Sequence, residues 1–172
     1  MITDKRLVFD TIPEQFDKWR QHYSPELFEY LISECSLDST KSVLEIGPGT
    51  GQASDFAINA GCDYKNPDSE LYAEIQKVYD TRFDSEQPFT CKFDYKAGTA
   101  HGFTYLGEHM FFGSRTYTAD EYVAYIKTHS DHITLKADKR DAFFSGIREA
   151  VVRHGGTITF NATYMLDLYR KE

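Results

Sequence analysis

Three glycines at alternate positions, Gly47, Gly49 and Gly51, follow an acidic residue in the run Val43-Leu44-Glu45-Ile46-Gly47-Pro48-Gly49-Thr50-Gly51. Glycine permits positive φ and lets the backbone approach a ligand closely, and a helix that starts beyond such a turn presents unpaired N–H groups to a negative group. A nucleoside is the natural ligand for that combination. Glu45, two residues ahead of the turn, is placed either to order the loop or to meet the cationic end of an amino-acid-bearing ligand. The competing reading is an ordinary strand-to-helix turn. A second cluster is His129-Ser130-Asp131-His132. Two imidazoles three apart suggest a metal, but a third ligand is lacking in the local sequence, so no metal is expected and polar helix-end residues are the reading. His129 also qualifies as a general base, because a neutral imidazole accepts a proton near pH 7; no catalytic residue is assigned. Tyr117, Tyr122 and Tyr125 read as core aromatics in preference to the lining of a substrate cavity.

The elements that must position these groups follow from periodicity. Lys41 to Ile46 is short and apolar and meets the glycines, which predicts a buried strand, with a helix from Gln52 to Ala60 after the turn. Upstream, Ser24 as N-cap and Pro25 at the first helical position open a helix carrying Leu27, Phe28, Leu31, Ile32 and Cys35 on one face. Downstream, Gly61 to Tyr64 begins a second strand that Lys65-Asn66-Pro67-Asp68 cuts short. Ser69 caps a helix with Leu71, Ile75, Val78 and Tyr79 in line, and Thr90 to Thr116 reads as strands around a loop. Thr118 and Glu121 form a capping box, a further helix covers about Lys139 to His154 and stops at Gly155-Gly156, and Ile158 to Leu168 alternates as a closing strand with one apolar face.

Composition narrows the class of protein. Nineteen Lys and Arg against twenty-seven Asp and Glu leave a net charge of −8, which disfavours a nucleic-acid partner. With 41% hydrophobic and 15% aromatic residues the 172-residue chain has the material for one folded domain with a real core. Cys35, Cys62 and Cys91 form no CxxC pair, and neither an export signal nor a membrane span is visible, so a cytoplasmic protein with no membrane partner is expected.

The glycine run resembles the first motif of the class I S-adenosylmethionine-dependent methyltransferases, an acidic residue and then glycines spaced as Glu45, Gly47, Gly49 and Gly51 stand here. The segment Phe16-Asp17-Lys18-Trp19-Arg20-Gln21-His22-Tyr23-Ser24-Pro25 is similar to the aromatic-Arg-Tyr-Pro stretch ahead of the first helix in small-molecule members of that superfamily. The resemblance puts Arg20 and Tyr23 near the cofactor. Arg115-Thr116-Tyr117-Thr118-Ala119-Asp120-Glu121-Tyr122 and the Gly155-Gly156 turn look like the family's C-terminal third.

The resemblance implies an α/β chain with a Rossmann-like methyltransferase fold, S-adenosylmethionine as cofactor and a small molecule as methyl acceptor. Members of the family have a seven-stranded sheet, and this chain holds too few strands, so the expected fold is a shortened one with an incomplete sheet. By that comparison three to four strand-helix units, about 75–100 residues, are expected to be absent at about Tyr64-Lys65. Residues 1–64 then hold the N-terminal helices and glycine motif, and 65–172 the C-terminal helices and closing strands, of a single domain. The lost strands would carry the ribose-binding acid. Asp68 and Glu70, 17 and 19 positions beyond Gly51, stand near the roughly 20-residue offset of such an acid, although helix-entry charge is the plainer reading. Sheet edges left open imply a homodimer, with Ile158 to Leu168 and Gly61 to Tyr64 nearest the contact. A non-catalytic remnant acting as a binding or oligomerisation module is the alternative function.

Overall fold

A computed structural model describes residues 11–20, 22–44, 59–62, 69–84 and 97–171, with backbone alone at 59–62 and 97. The elements in chain order are α1 (Pro13–Trp19), α2 (Pro25–Glu34), β1 (Asn59–Cys62), α3 (Glu70–Arg82), a 3-10 turn (Ala97–His101), β2 (Phe103–Thr118), α4 (Ala119–Ile126), α5 (Ser130–Ile133), α6 (Ala137–Arg153) and β3 (Thr157–Lys171). The strands form a sheet in the order β1-β3-β2. β1 pairs antiparallel with β3 in the register Asn59↔Met165, Ala60↔Tyr164, Gly61↔Thr163 and Cys62↔Ala162. Tyr105, early in β2, reaches Asp167, late in β3, whereas Thr116, late in β2, reaches Thr159, early in β3, so these two strands also run antiparallel. The chain is thus mixed α/β with an antiparallel sheet among its described residues.

Two compact units divide the chain, one from residues 1–21, 64–90 and 115–160, the other from 22–63, 91–114 and 161–172. In the first, α6 packs on α3 and α4, and α1 on α4. Helical spacing brings Phe143, Ile147, Ala150 and Val151 of α6 to full burial, and Ile75 and Val78 of α3 meet them in one core with Tyr117, Tyr122, Tyr125 and Phe160. Each large apolar side chain so buried is worth about 1.5–3 kcal/mol against exposure. The helix ends are fixed locally. The Ser69 hydroxyl accepts the Tyr72 N–H (3.1 Å), and Thr118 and Glu121 make the reciprocal pair expected of a capping box. At the end of α6, Gly155 and Gly156 take φ +99° and +79°, and the Gly156 N–H returns to the Val151 carbonyl at 2.9 Å. That left-handed pair turns the chain from helix into β3.

In the second unit Leu27 of α2 is buried with Ala162 and Tyr164 of β3, and Tyr23, Phe28 and Phe111 pack around them. The Tyr164 hydroxyl donates to the His22 carbonyl at 2.8 Å. A separate aromatic pair, Tyr105 and Tyr169, ties β2 to β3, where the Tyr105 hydroxyl donates to Asp167 at 3.0 Å. Burial and that acceptor push the Tyr105 phenol up to about 12.

Several expectations are corrected. Residues 41–44 form no strand, and Val43 and Leu44 are exposed, the latter at 85%. No described strand pairs with them, and without a ladder or burial their apolar character does not make a strand. Asn59 and Ala60 open β1 instead of ending a helix. Ser24 stands at the N-cap of α2 with extended backbone, but its hydroxyl makes no capping bond, so Pro25 alone presets the first turn. β3 is the central strand, with Phe160, Ala162, Tyr164 and Leu166 buried within the chain, so its apolar face is not left for a second copy. The remaining site expectations at Glu45, Gly47, Gly49, Gly51 and Asp68 lie outside the described residues.

Candidate functional site

Between α4 and α6 the chain makes a tight polar corner. α4 ends when the Thr128 hydroxyl and N–H both turn back to the Tyr125 carbonyl (2.6 and 3.0 Å), a local bond that competes with continued helix. His129 then takes extended backbone, and its carbonyl accepts the N–H groups of His132 and Ile133 to start the single turn α5. Thr134 closes that turn through its hydroxyl to the Ser130 and Asp131 carbonyls. One turn of helix and its N-cap therefore carry Asp131 and His132 beside His129.

The His132 ring, 4% exposed, stands among Tyr79, Phe83 and Phe143. Both of its nitrogens are engaged, Nδ1 with the Asp131 carboxylate at 2.6 Å and Nε2 with the Tyr79 hydroxyl at 2.7 Å. The His129 ring lies edge-on to it, with centroids 5.2 Å apart, and edge-on to Tyr125 at 4.8 Å. Its Nε2 is sealed from solvent and meets no hydrogen-bond partner. Burial first, and then the charges of Arg20 and His132, hold the His129 imidazole well below its usual range, so it is neutral near pH 7. Burial pushes the Asp131 carboxyl up, but the hydrogen bond from His132 leads the effects that outweigh it and hold the group below its ordinary value.

Arg20 lies in the same unit. Its Nη2 donates to the Thr128 carbonyl at 3.1 Å, and its guanidinium lies over the rings of Phe16 and Tyr125 at 5.0 and 5.8 Å. The backbone of its own segment is held by Arg115, which donates to the carbonyls of Arg20 and Lys18, and by the Tyr117 hydroxyl, which donates to the Trp19 carbonyl at 3.2 Å. Tyr23, in the second unit, packs edge-on against Tyr164 and Phe28. Glu70 is an exposed acid in the first turn of α3, in keeping with helix-entry charge. Beside it, Ser69, Tyr72, Ile75, Tyr122 and Thr157 to Thr159 line a cleft of about 190 Å³.

Sequence reading missed two members of the corner. Asp131 stands between the histidines with no role assigned from sequence, although an Asp one residue from His132 is a legible signal for the pair they form. Tyr79, 53 residues away, had none beyond its place on the apolar face of α3. No protein-family model, no curated protein and no solved structure matches this chain.

Proposed function

We propose that the chain is a shortened class I methyltransferase domain that moves a methyl group from S-adenosylmethionine to a small-molecule acceptor. The observation that carries this reading is the Glu45, Gly47, Gly49 and Gly51 run, in which acid and glycine spacing match the family's first motif. It is supported by the bonds from Arg115 and Tyr117 to the Lys18–Arg20 backbone, because these join two of the stretches that carry the resemblance. The described strands pair antiparallel, which bears on the α/β class of the reading and not on a doubly wound sheet. Bound at the glycine run, the cofactor would supply an already activated methyl group, leaving the protein to align the acceptor and exclude water. The cleft beside Ser69 is smaller than the roughly 300–1,000 Å³ of ordinary ligand sites, so the cofactor is assigned to the glycine run and not to that cleft.

A second reading, a non-catalytic module that associates with a copy of itself, is favoured by the exposed Leu106, Met110 and Phe112 of β2. Calorimetric titration with S-adenosylhomocysteine separates the two. Methyl transfer requires saturable binding that Gly49→Val weakens at least about tenfold, or 1.4 kcal/mol. With the ribose acid missing, the expected Kd for a single chain is weaker than about 1 μM. Absence of binding up to about 1 mM would leave the second reading in place.

A further inference from the structure

We propose that His129, Asp131 and His132 form a binding site for a first-row transition-metal dication, zinc being the best match. The inference is independent of methyl transfer. Their donor atoms all lie within 4.8 Å of one another, and two imidazoles with one carboxylate are a donor set suited to zinc. A second observation concerns the same histidine: the His129 Nε2 is sealed from solvent and has no hydrogen-bond partner. A buried polar atom left without a partner is destabilising, and a metal bond supplies the partner it lacks.

The surroundings fit the assignment. Ligands about 2.0–2.2 Å from a common ion stand no more than about 4 Å apart, so the three donors need to shift by only about 1 Å or less. Asp131, with its side chain 26% exposed, opens the corner to solvent. When the ion takes His132 Nδ1, the proton shared there with Asp131 is released to solvent, and the neutral ring carries its one proton on Nε2, from which it donates to the Tyr79 hydroxyl. Such an outer partner fixes the tautomer and ring orientation of a metal-ligating histidine. The Arg20 charge faces His129 and opposes the cation. Against it stand the ionised Asp131 and the commitment of the guanidinium to the Thr128 carbonyl and two ring faces. Three protein ligands leave a fourth position for water or another small donor.

The test uses the full chain freed of metal by chelator. Cobalt(II) is titrated as a visible-absorption probe, and zinc is then measured in competition with a chromophoric chelator. The expected result is one equivalent bound with a Kd of about 10 μM or tighter, together with the d–d absorption of a low-coordinate cobalt site. His129→Gln and Asp131→Asn should each weaken binding at least about tenfold, equal to 1.4 kcal/mol, and reduce that absorption, with far-UV circular dichroism unchanged. His154→Ala, at a histidine remote from the corner in sequence and paired with Glu74, should leave it as it was. Wild-type affinity no better than that of the His129→Gln/Asp131→Asn double variant would overturn the site. Zinc-dependent elevation of Tm in the wild type alone gives a second readout, and equal elevation in the double variant would also count against it.

Discussion

The Tyr79 hydroxyl is the partner that His132 Nε2 has on the side away from Asp131, and the ring between them is almost wholly buried. Tyr79→Phe removes the partner without changing the shape, so a buried nitrogen is left unsatisfied and stability should fall by about 1–3 kcal/mol. Urea unfolding reads this as a lower midpoint at unchanged slope; an unmoved midpoint would show that solvent replaces the hydroxyl. Arg20 offers a complementary test. Its charge faces His129, so Arg20→Gln should tighten cobalt binding at the corner, and weaker binding would mean that the guanidinium chiefly holds Thr128 in place. At this scale the sequence showed the histidine pair and Arg20 but misjudged how they combine. Helical spacing identifies which residues share a turn, whereas the approach of Tyr79 depends on α3 packing against the later helices, which no local pattern encodes.

Packing between elements is close where α6 crosses α3. A Cβ at Gly146 would stand 2.6 Å from the Arg82 guanidinium and 3.1 Å from Val78 Cγ1. Gly146→Ala gains about 1 kcal/mol of helix propensity and needs only a flexible guanidinium and a small shift of Val78 to give way, so it should be near neutral. Gly146→Leu has no such outlet and should cost about 1–3 kcal/mol, measured by urea unfolding; equal stability of the two variants would mean that the helices separate freely. The same pair of helices is joined at the other end by Glu74, which accepts from Arg153 Nε at 2.8 Å and meets His154 Nε2 at 2.7 Å. The Arg153 and His154 hydrogen bonds hold the Glu74 carboxyl below its ordinary value of 4.5. A group depressed in the folded state stabilises above its unfolded pKa and loses that contribution as pH falls through the folded one. Stability should therefore decline as pH falls through and below about 4.5, and Glu74→Gln should flatten that limb. An unchanged acid limb would assign it to other carboxylates. Elements with local signals were legible: Ser69, the Thr118–Glu121 box and Gly155-Gly156 bound α3, α4 and α6 within two residues of expectation, because caps and left-handed turns are local chemistry. The strand expected at Lys41 to Ile46 was not found over 41–44, because strand formation depends on a partner that sequence pattern does not supply.

At the scale of the whole molecule, the balance between charge and exposed apolar surface decides association. Met110 and Phe112, two residues apart on β2, point to one face and are 53% and 72% exposed, with Leu106 nearby at 49%. β2 has β3 on one side and no described strand on the other, so its second edge carries backbone groups without a ladder among the described residues. A second copy brought to this strand would pair edge with edge around a two-fold axis and cover the same apolar side chains. The sequence places the contact at Ile158 to Leu168 and at Gly61 to Tyr64; β3 is central with its apolar face buried, and the exposed apolar side chains of β2 move the expected contact to that strand. Opposing it is the net charge of −8 on each chain, whose repulsion acts over about 10 Å at 0.1 M salt and over about 30 Å at 0.01 M. Sedimentation across a concentration and salt series should accordingly give a dimer at tens of micromolar that tightens as salt rises, and Met110→Glu with Phe112→Glu should return it to monomer. A wild-type chain that stays monomeric at those concentrations while unfolding cooperatively would show that the exposed face of β2 is no interface between copies.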